Sequence, residues 1–171
     1  VDESSIAFVA RVHSLTIRVV RGDNEPLREG TASVYVNGEP VSTHNLSEEN
    51  IFSERLPEGE VSVRVEFRDR KVGEKTIYLE EPIKELTVKA GVYVLGFYLY
   101  YSSGEPAEGV SVVVEDKVGK VGESVSDETG YAVMLLPGGE YNVRISFGNK
   151  TLEYKGKLEK NTFINVMYPV E

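Results

Sequence analysis

The sequence predicts an all-β protein in which one extra N-terminal strand precedes two tandem β-sandwiches of seven strands each. Three observations predict this class. Apolar and polar residues alternate with a period of two in run after run of the 171 residues, as they do in strands that bury one face. No window of a dozen residues keeps the helical period of about 3.6 residues. The chain also repeats its own motifs at a constant spacing.

The alternating runs mark the strands in order along the chain. Their apolar residues are Leu15, Ile17 and Val19; Ala32, Val34 and Val36; Val61, Val63, Val65 and Phe67; Leu95, Phe97 and Leu99; Val110, Val112 and Val114; and Tyr141, Val143, Ile145 and Phe147. Valine is the commonest residue, and its β-branched side chain packs well on a pleated surface. Each run therefore predicts a strand with one face in a core.

The internal repeat has an offset of 80 residues. Leu56–Phe67 (LPEGEVSVRVEF) aligns with Leu136–Phe147 (LPGGEYNVRISF) at this offset, and the Glu-Pro pair at Glu25 recurs at Glu105. Several anchors at one spacing indicate two copies of one structural unit. The chain is therefore expected to divide into an extra strand, a first sandwich and a second sandwich over residues 1–12, 13–90 and 91–171.

Turn residues separate the runs within each repeat. The Glu-Pro pair follows the first strand, and Leu-Pro-x-Gly-Glu precedes the longest one. Proline presets φ for a turn, and glycine tolerates a positive φ. About seven short strands in a repeat of this length predict an immunoglobulin-like sandwich. The absence of Cys and Trp excludes a true immunoglobulin domain.

Three motifs of the second repeat occur in the order found in a known domain family. They are GEPAEGVSV from Gly104, SDETGY from Ser126 and LPGGEY from Leu136. With them the repeat resembles carboxypeptidase-regulatory-like domains. The resemblance implies a transthyretin-like seven-stranded sandwich with scaffolding, adhesion or enzyme-accessory roles outside the cell, and no catalytic residues. The first repeat departs from the pattern at Asn50, where Gly is expected; since Asn also tolerates the left-handed conformation, we expect the turn to be kept.

Composition excludes several function classes. The net charge of −9 disfavours nucleic acids and anionic membrane surfaces as partners, because both require a basic face. Without Cys there are no disulfides, thiolate metal sites or Cys nucleophiles. The longest mainly apolar run, residues 91–101, is about half the length of a membrane-spanning helix.

Other features indicate export. The sequons at Asn45 and Asn149 are candidate N-glycosylation sites. The chain opens at Val1 with no basic–apolar leader, as in a processed secreted protein or a recombinant fragment. A Glu- and Lys-rich composition without Gln, Cys or Trp resembles the bias of hyperthermophile proteins. We expect an extracellular or cell-surface protein.

Candidate catalytic and metal-binding residues are few. His13 is expected on the approach to the first strand and His44 in a polar loop, neither with a partner at ligand spacing. Asp127 and Glu128 are adjacent carboxylates, but they lack the alternating acidic pattern of a calcium loop. The sequence therefore predicts no catalytic residue, metal site or cofactor.

An exposed aromatic pair is predicted in the second repeat. Since Leu95, Phe97 and Leu99 face the core, Tyr98 and Tyr100 must face outward. Outward tyrosines of this kind contact another protein, stack on sugar rings or pair across strands on a solvated face.

The N-terminal segment has no counterpart in the second repeat. Its alternation puts Ile6, Phe8, Ala10 and Val12 on one face. A change of phase near His13 and Ser14 either separates this segment from the first strand or bends a single strand sharply. Three arrangements remain open: pairing within its own sandwich, a mobile tail that the apolar content disfavours, and addition to the sheet of a neighbouring copy.

These features predict a non-enzymatic protein of the cell surface. The first hypothesis is a filament or surface-layer subunit that polymerises head to tail, the N-terminal strand of each copy adding to the next. Ile6, Phe8, Ala10 and Val12 would form the donor interface, with Tyr98 and Tyr100 as lateral or ligand contacts. The alternative is a carbohydrate-binding or accessory module of a secreted enzyme or adhesin, with surface glycans as partners.

Overall fold

The computed structural model of the protein describes residues 11–168, with the backbone alone described at 83 and 84. The strands of the first repeat are β1 Val12–Val20, β2 Thr31–Val36, β3 Glu39–Asn45, β4 Ile51–Pro57, β5 Gly59–Phe67, β6 Arg70–Leu79 and β7 Ile83–Lys89. Those of the second are β8 Val92–Tyr101, β9 Ser111–Glu115, β10 Lys120–Val125, β11 Tyr131–Pro137, β12 Gly139–Phe147, β13 Lys150–Leu158 and β14 Thr162–Tyr168.

The predicted fold class is confirmed. The described residues contain fourteen strands and no helix, and each repeat contributes seven strands. The strands form four sheets, one of three strands and one of four in each repeat. Period-two alternation succeeded as a predictor because strands such as β2, β5 and β12 have one face in a core and one toward solvent.

The described residues form two compact units. Unit 1 comprises residues 11–20, 26–67 and 73–90, and unit 2 comprises 21–25, 68–72 and 91–168. Unit 1 contains a sheet of order β4-β1-β7, called here the β1 sheet, and a sheet of order β3-β2-β5-β6. Unit 2 contains a sheet of order β11-β8-β14, the β8 sheet, and a sheet of order β10-β9-β12-β13.

The two three-stranded sheets have the same topology. The central strand pairs antiparallel with the fourth strand of its repeat, β1 with β4 and β8 with β11. On its other side it pairs parallel with the last strand of its repeat, β1 with β7 and β8 with β14. Each last strand therefore lies at a sheet edge and runs in the same direction as the first.

Each unit has its own core, built from the inward residues of both sheets. In unit 1 these include Leu15, Ile17 and Val63, all fully buried. In unit 2 the buried residues Leu95 and Phe97 occupy the positions of Leu15 and Ile17 on the central strand. The alternating runs of the sequence supply both cores, because alternate residues of a strand face the same side.

The two repeats make the turn before β4 and β11 differently. In unit 2, Asp127 Oδ1 accepts hydrogen bonds from Thr129 N at 2.9 Å and Tyr131 N at 3.1 Å, and Gly130 has a φ of 80°. The hydrogen bond that the Thr129 hydroxyl donates to Asp127 Oδ1 at 2.6 Å, together with these backbone bonds, holds the pKa of Asp127 below its ordinary value. They explain the SDETGY motif as an Asx turn.

The expectation for Asn50 was wrong. Asn50 does not adopt a positive φ. It is buried, and its Nδ2 donates to Val19 O at 3.4 Å. Asn45 forms the Asx turn instead, accepting at Oδ1 from Ser47 N at 3.0 Å and Ser47 Oγ at 2.7 Å. A turn-forming residue two positions earlier removes the need for a left-handed residue at Asn50.

The assignment of Val12 to a separate strand also needs correction. Val12 is the first residue of β1 and pairs with Pro57. The strand runs without a break through His13, where a change of phase was expected, and Val12 is exposed on the outward side with Ser14 and Thr16. The backbone continues in the same pairing to Arg11, whose carbonyl accepts from Glu58 N at 3.0 Å. Ile6, Phe8 and Ala10 lie outside the described residues.

Candidate functional site

The outward face of the β8 sheet carries no charged residue. Its members come from three neighbouring strands and are here called the outer face: Tyr131, Val133 and Leu135 of β11; Val94, Gly96, Tyr98 and Tyr100 of β8; and Phe163, Asn165 and Met167 of β14. Asn165 is the one polar amide among them. A contiguous apolar surface of this kind is unusual on a strand face that is open to solvent.

Two aromatic rings cover the middle of the outer face. A Cβ placed on Gly96 would lie 2.6 Å from Cδ1 of Phe163 and 3.0 Å from Cε2 of Tyr131, so both rings rest against this glycine. Tyr98 stacks on Tyr131 with 4.7 Å between the ring centroids. Gly96 is thus needed for close approach, since any side chain there would displace the rings.

The predicted orientation of the tyrosines is observed. Tyr98 is 45% exposed and Phe163 55% exposed, while Tyr100 is half-buried and forms a bridge with Pro106. Burial raises the pKa of Tyr131 above its ordinary value, and the charges of Tyr98 and Asp127 act in the same direction. The phenol of Tyr131 therefore stays neutral at physiological pH.

The matching face of unit 1 is polar. The outward residues of the β1 sheet include Arg18, whose Nε lies 2.7 Å from Oε1 of Glu85 on β7. Thr16 and Ser53 share a hydrogen bond of 2.9 Å across β1 and β4. The two repeats thus share a topology and differ in the polarity of the face that they present to solvent.

Sequence reasoning identified only part of the outer face. It selected Tyr98 and Tyr100 from the alternation of β8, but it missed Tyr131, Phe163 and Met167. A signal was available, because β11 and β14 contain no Asp, Glu, Lys or Arg. The parallel pairing that brings Phe163 beside Gly96 is a tertiary feature and has no signature in local sequence.

The two histidines lie within strands of unit 1. His44 lies in β3 and not in the predicted loop, because the turn begins only at Asn45. It stacks on Phe52 at 3.8 Å, its Nδ1 lies 3.1 Å from Oε1 of Glu49, and its Nε2 contacts Glu54. His13 Nε2 is buried and lies 3.9 Å from Oε2 of Glu58, beyond hydrogen-bond range.

The remaining predicted sites are on exposed turns or strand ends. Asn149 is exposed in the tight turn between β12 and β13. Asn45 is exposed at the end of β3, and its side chain is engaged with Ser47. Within residues 11–168 no three His, Asp or Glu side chains converge on a common point that would hold a metal ion. The same part of the chain has no helix with the length and hydropathy needed to cross a bilayer.

Comparison with known proteins finds likeness in structure alone. No protein-family model matches the chain, and no curated protein matches its sequence. The shaft pilin SpaA of Lactobacillus rhamnosus GG has a similar fold, with a TM-score of 0.50 and 9% identity over 95% of this chain and 98% of its own.

Two further structures are more distant in fold. The Bacillus anthracis TIE protein aligns at a TM-score of 0.42 and 20% identity, over 92% of this chain. This chain covers only 33% of that protein. The minor pilin GBS52 of Streptococcus agalactiae aligns at 0.39 and 14% identity, over 92% of this chain and 95% of its own. At these identities the likeness to the shaft pilin concerns the fold.

Proposed function

We propose that the protein is a non-enzymatic subunit of an extracellular surface filament or surface layer, and that copies join by strand addition through residues 4–10. The observation that carries the proposal is the uncharged outer face of the β8 sheet in a protein with a net charge of −9. Copies with a large like charge repel each other, so an uncharged apolar face offers a favourable place for them to meet.

The N-terminal sequence supports this role. Residues 4–10 (SSIAFVA) contain no charge, whereas Asp2, Glu3 and Arg11 on either side are charged. Both faces of a strand made from this stretch would be apolar, with Ile6 and Phe8 on one side and Val9 on the other. Such a strand is suited to insertion between two apolar surfaces.

The strand directions are compatible with head-to-tail joining. In unit 1, β1 begins at the end of the sandwich opposite to the end where the parallel strand β7 finishes and the chain continues to β8. In unit 2, the parallel strand β14 finishes at the end opposite to the start of β8. The described chain therefore begins, at Arg11, at the end of unit 1 away from the connection to β8. The shaft pilin with this tandem fold is itself a pilus subunit.

Removal of residues 1–10 tests the proposal and leaves β1 intact, since β1 begins at Val12. We expect the full chain to form filaments or oligomers and the shortened chain to remain monomeric, as seen by electron microscopy and size-exclusion chromatography. A full chain with Asp2→Ala and Glu3→Ala is the control and is expected to assemble. Unchanged filaments from the shortened chain would show that the segment is not the donor.

A carbohydrate-binding or accessory module is the second candidate, favoured by the Tyr98–Tyr131 ring pair on an open sheet face. It predicts a monomer whose Tyr fluorescence changes on titration with oligosaccharides. The response would be lost in Tyr98→Ala and kept in Tyr78→Ala, which removes an exposed tyrosine of β6. Saturable binding by a chain that never assembles would favour this function over the filament.

A further inference from the structure

Two sheet edges of unit 2 lack the charges that protect the others. Eight strands lie at the edges of the four sheets, and all of them except β11 and β14 contain at least one Asp, Glu, Lys or Arg. Edge strands normally carry charges or proline, because an unprotected edge pairs with another strand. β11 ends in Pro137 and packs against β10 of the facing sheet. The free edge of β14 (TFINVMY) has neither protection.

The core beneath β14 is incompletely covered. Its inward residues Ile164 and Val166 pair with Phe97 and Leu99 but are only half-buried. Their counterparts on β7 in unit 1, Leu86 and Val88, are 6% and 1% exposed. The inward residues of the last strand are thus buried in the first repeat and partly exposed in the second.

A small apolar cavity marks the opening between β13 and β14. Its volume is about 40 Å³, and its lining includes Leu95, Tyr154, Leu158 and Ile164. Burial raises the pKa of Tyr154 to about 12, so this phenol stays neutral at the mouth of the cavity. An apolar strand placed along β14 would cover the cavity and extend the burial of Ile164.

Residues 4–10 match this edge in length and character. The segment has seven residues and no charge, and β14 also has seven residues and no charge. Beside β14, alternate residues of the segment would face the core opening and the outer face, so Ile6 and Phe8 would cover Ile164 while Val9 would lie near Met167.

We infer that the free edge of β14 is the acceptor for residues 4–10 of a second copy, which would extend the β8 sheet from three strands to four. This inference rests on the proposed function and specifies its acceptor. The partner is identified by two properties of the described chain, an edge without charge and a core opening along it. The third is a stretch of equal length and matching polarity in the same sequence.

Cysteine cross-linking between full-length chains tests the acceptor, because the chain has no natural Cys. One copy carries Ala7→Cys, the middle of the donor segment. The other carries Asn165→Cys, the exposed middle of β14, and a mass label to distinguish it. The matched control is Thr87→Cys, at the corresponding exposed position of β7, with Lys155→Cys on β13 as a second control. Equal mixtures are treated with a short bis-maleimide.

We expect the mixed dimer with Asn165→Cys to exceed that with either control by about tenfold, since pairing raises the local concentration of the two thiols. Equal or greater linkage to Thr87→Cys or Lys155→Cys would overturn β14 as the acceptor and leave strand addition standing. No linkage between copies, with linkage inside a chain carrying both Ala7→Cys and Asn165→Cys at high dilution, would overturn the acceptor and the proposed function together.

Discussion

A chain with Phe163→Glu and Met167→Lys is expected to fold like the parent and to lose most of its assembly. Both side chains are exposed on β14, at 55% and 52%. The substitutions transfer to β14 the charges that Glu85 and Lys89 give to β7 in the other repeat. Charges on an edge strand oppose the addition of another strand, because the strand that adds would remove them from water.

The expected size of this effect follows from the cost of burying a charge without a partner. Truncating one member of a buried interfacial charge pair costs about 2–5 kcal/mol, much of it from the charge left alone. At roughly 1.4 kcal/mol for each tenfold change, the dissociation constant should rise by a factor of about 30 or more. Analytical ultracentrifugation over a concentration series measures this shift directly.

A matched variant separates the edge of β14 from a general effect of added charge. Tyr78→Glu and Val125→Lys introduce the same two charges at exposed positions of β6 and β10. This control should assemble like the parent. Thermal unfolding should change by no more than about 1 kcal/mol in either variant, as is usual for exposed sites. Equal loss of assembly in both variants would argue against β14.

Gly130→Ala is expected to destabilise unit 2 strongly. Gly130 has a φ of 80°, and a Cβ there would lie 2.2 Å from the carbonyl oxygen of Leu99. That oxygen belongs to the central strand of the β8 sheet, and Leu99 N also donates to Gly130 O at 2.7 Å. The left-handed conformation alone costs an Ala about 1–2 kcal/mol, and the displaced backbone should add a similar amount.

Gly148→Ala is the control for this substitution. Gly148 also has a positive φ, 62°, but a Cβ there would meet nothing within 4 Å. It should therefore show only the conformational cost of about 1–2 kcal/mol. Thermal denaturation followed by circular dichroism should give a clearly lower midpoint for Gly130→Ala than for Gly148→Ala. Equal midpoints would mean that the contact with Leu99 relaxes without cost.

The strands could be predicted because their signal is local. Leu15, Ile17 and Val19 alternate with polar residues for the same reason that they lie in a core, so the sequence contains the strand and its buried face together. The offset of 80 between Leu56 and Leu136 reappears as the offset between β4 and β11. Counting turns between the runs was enough to predict seven strands in each repeat.

The sequence predictions for the first repeat were wrong at two places, the turn before β4 and the start of β1. Asn45 forms an Asx turn that makes a left-handed residue at Asn50 unnecessary, and it leaves His44 inside β3. At the start of β1, Val12 belongs to the strand because the pairing with β4 continues past His13 toward the N-terminus. A local side-chain hydrogen bond decided the first point and pairing between distant strands decided the second, and the alternation of apolar residues reports neither.

The sequence by itself determined the fold class, the two repeats, the identity of most core residues and the outward direction of Tyr98, because each depends on the period of a single strand. The tertiary structure decided which strands are neighbours, and therefore that Phe163, Gly96 and Tyr131 form one uncharged face and that the edge of β14 is open. Strand order depends on contacts between residues far apart in the chain, whose free energy is set by packing of whole sheets and leaves no periodic trace in the sequence.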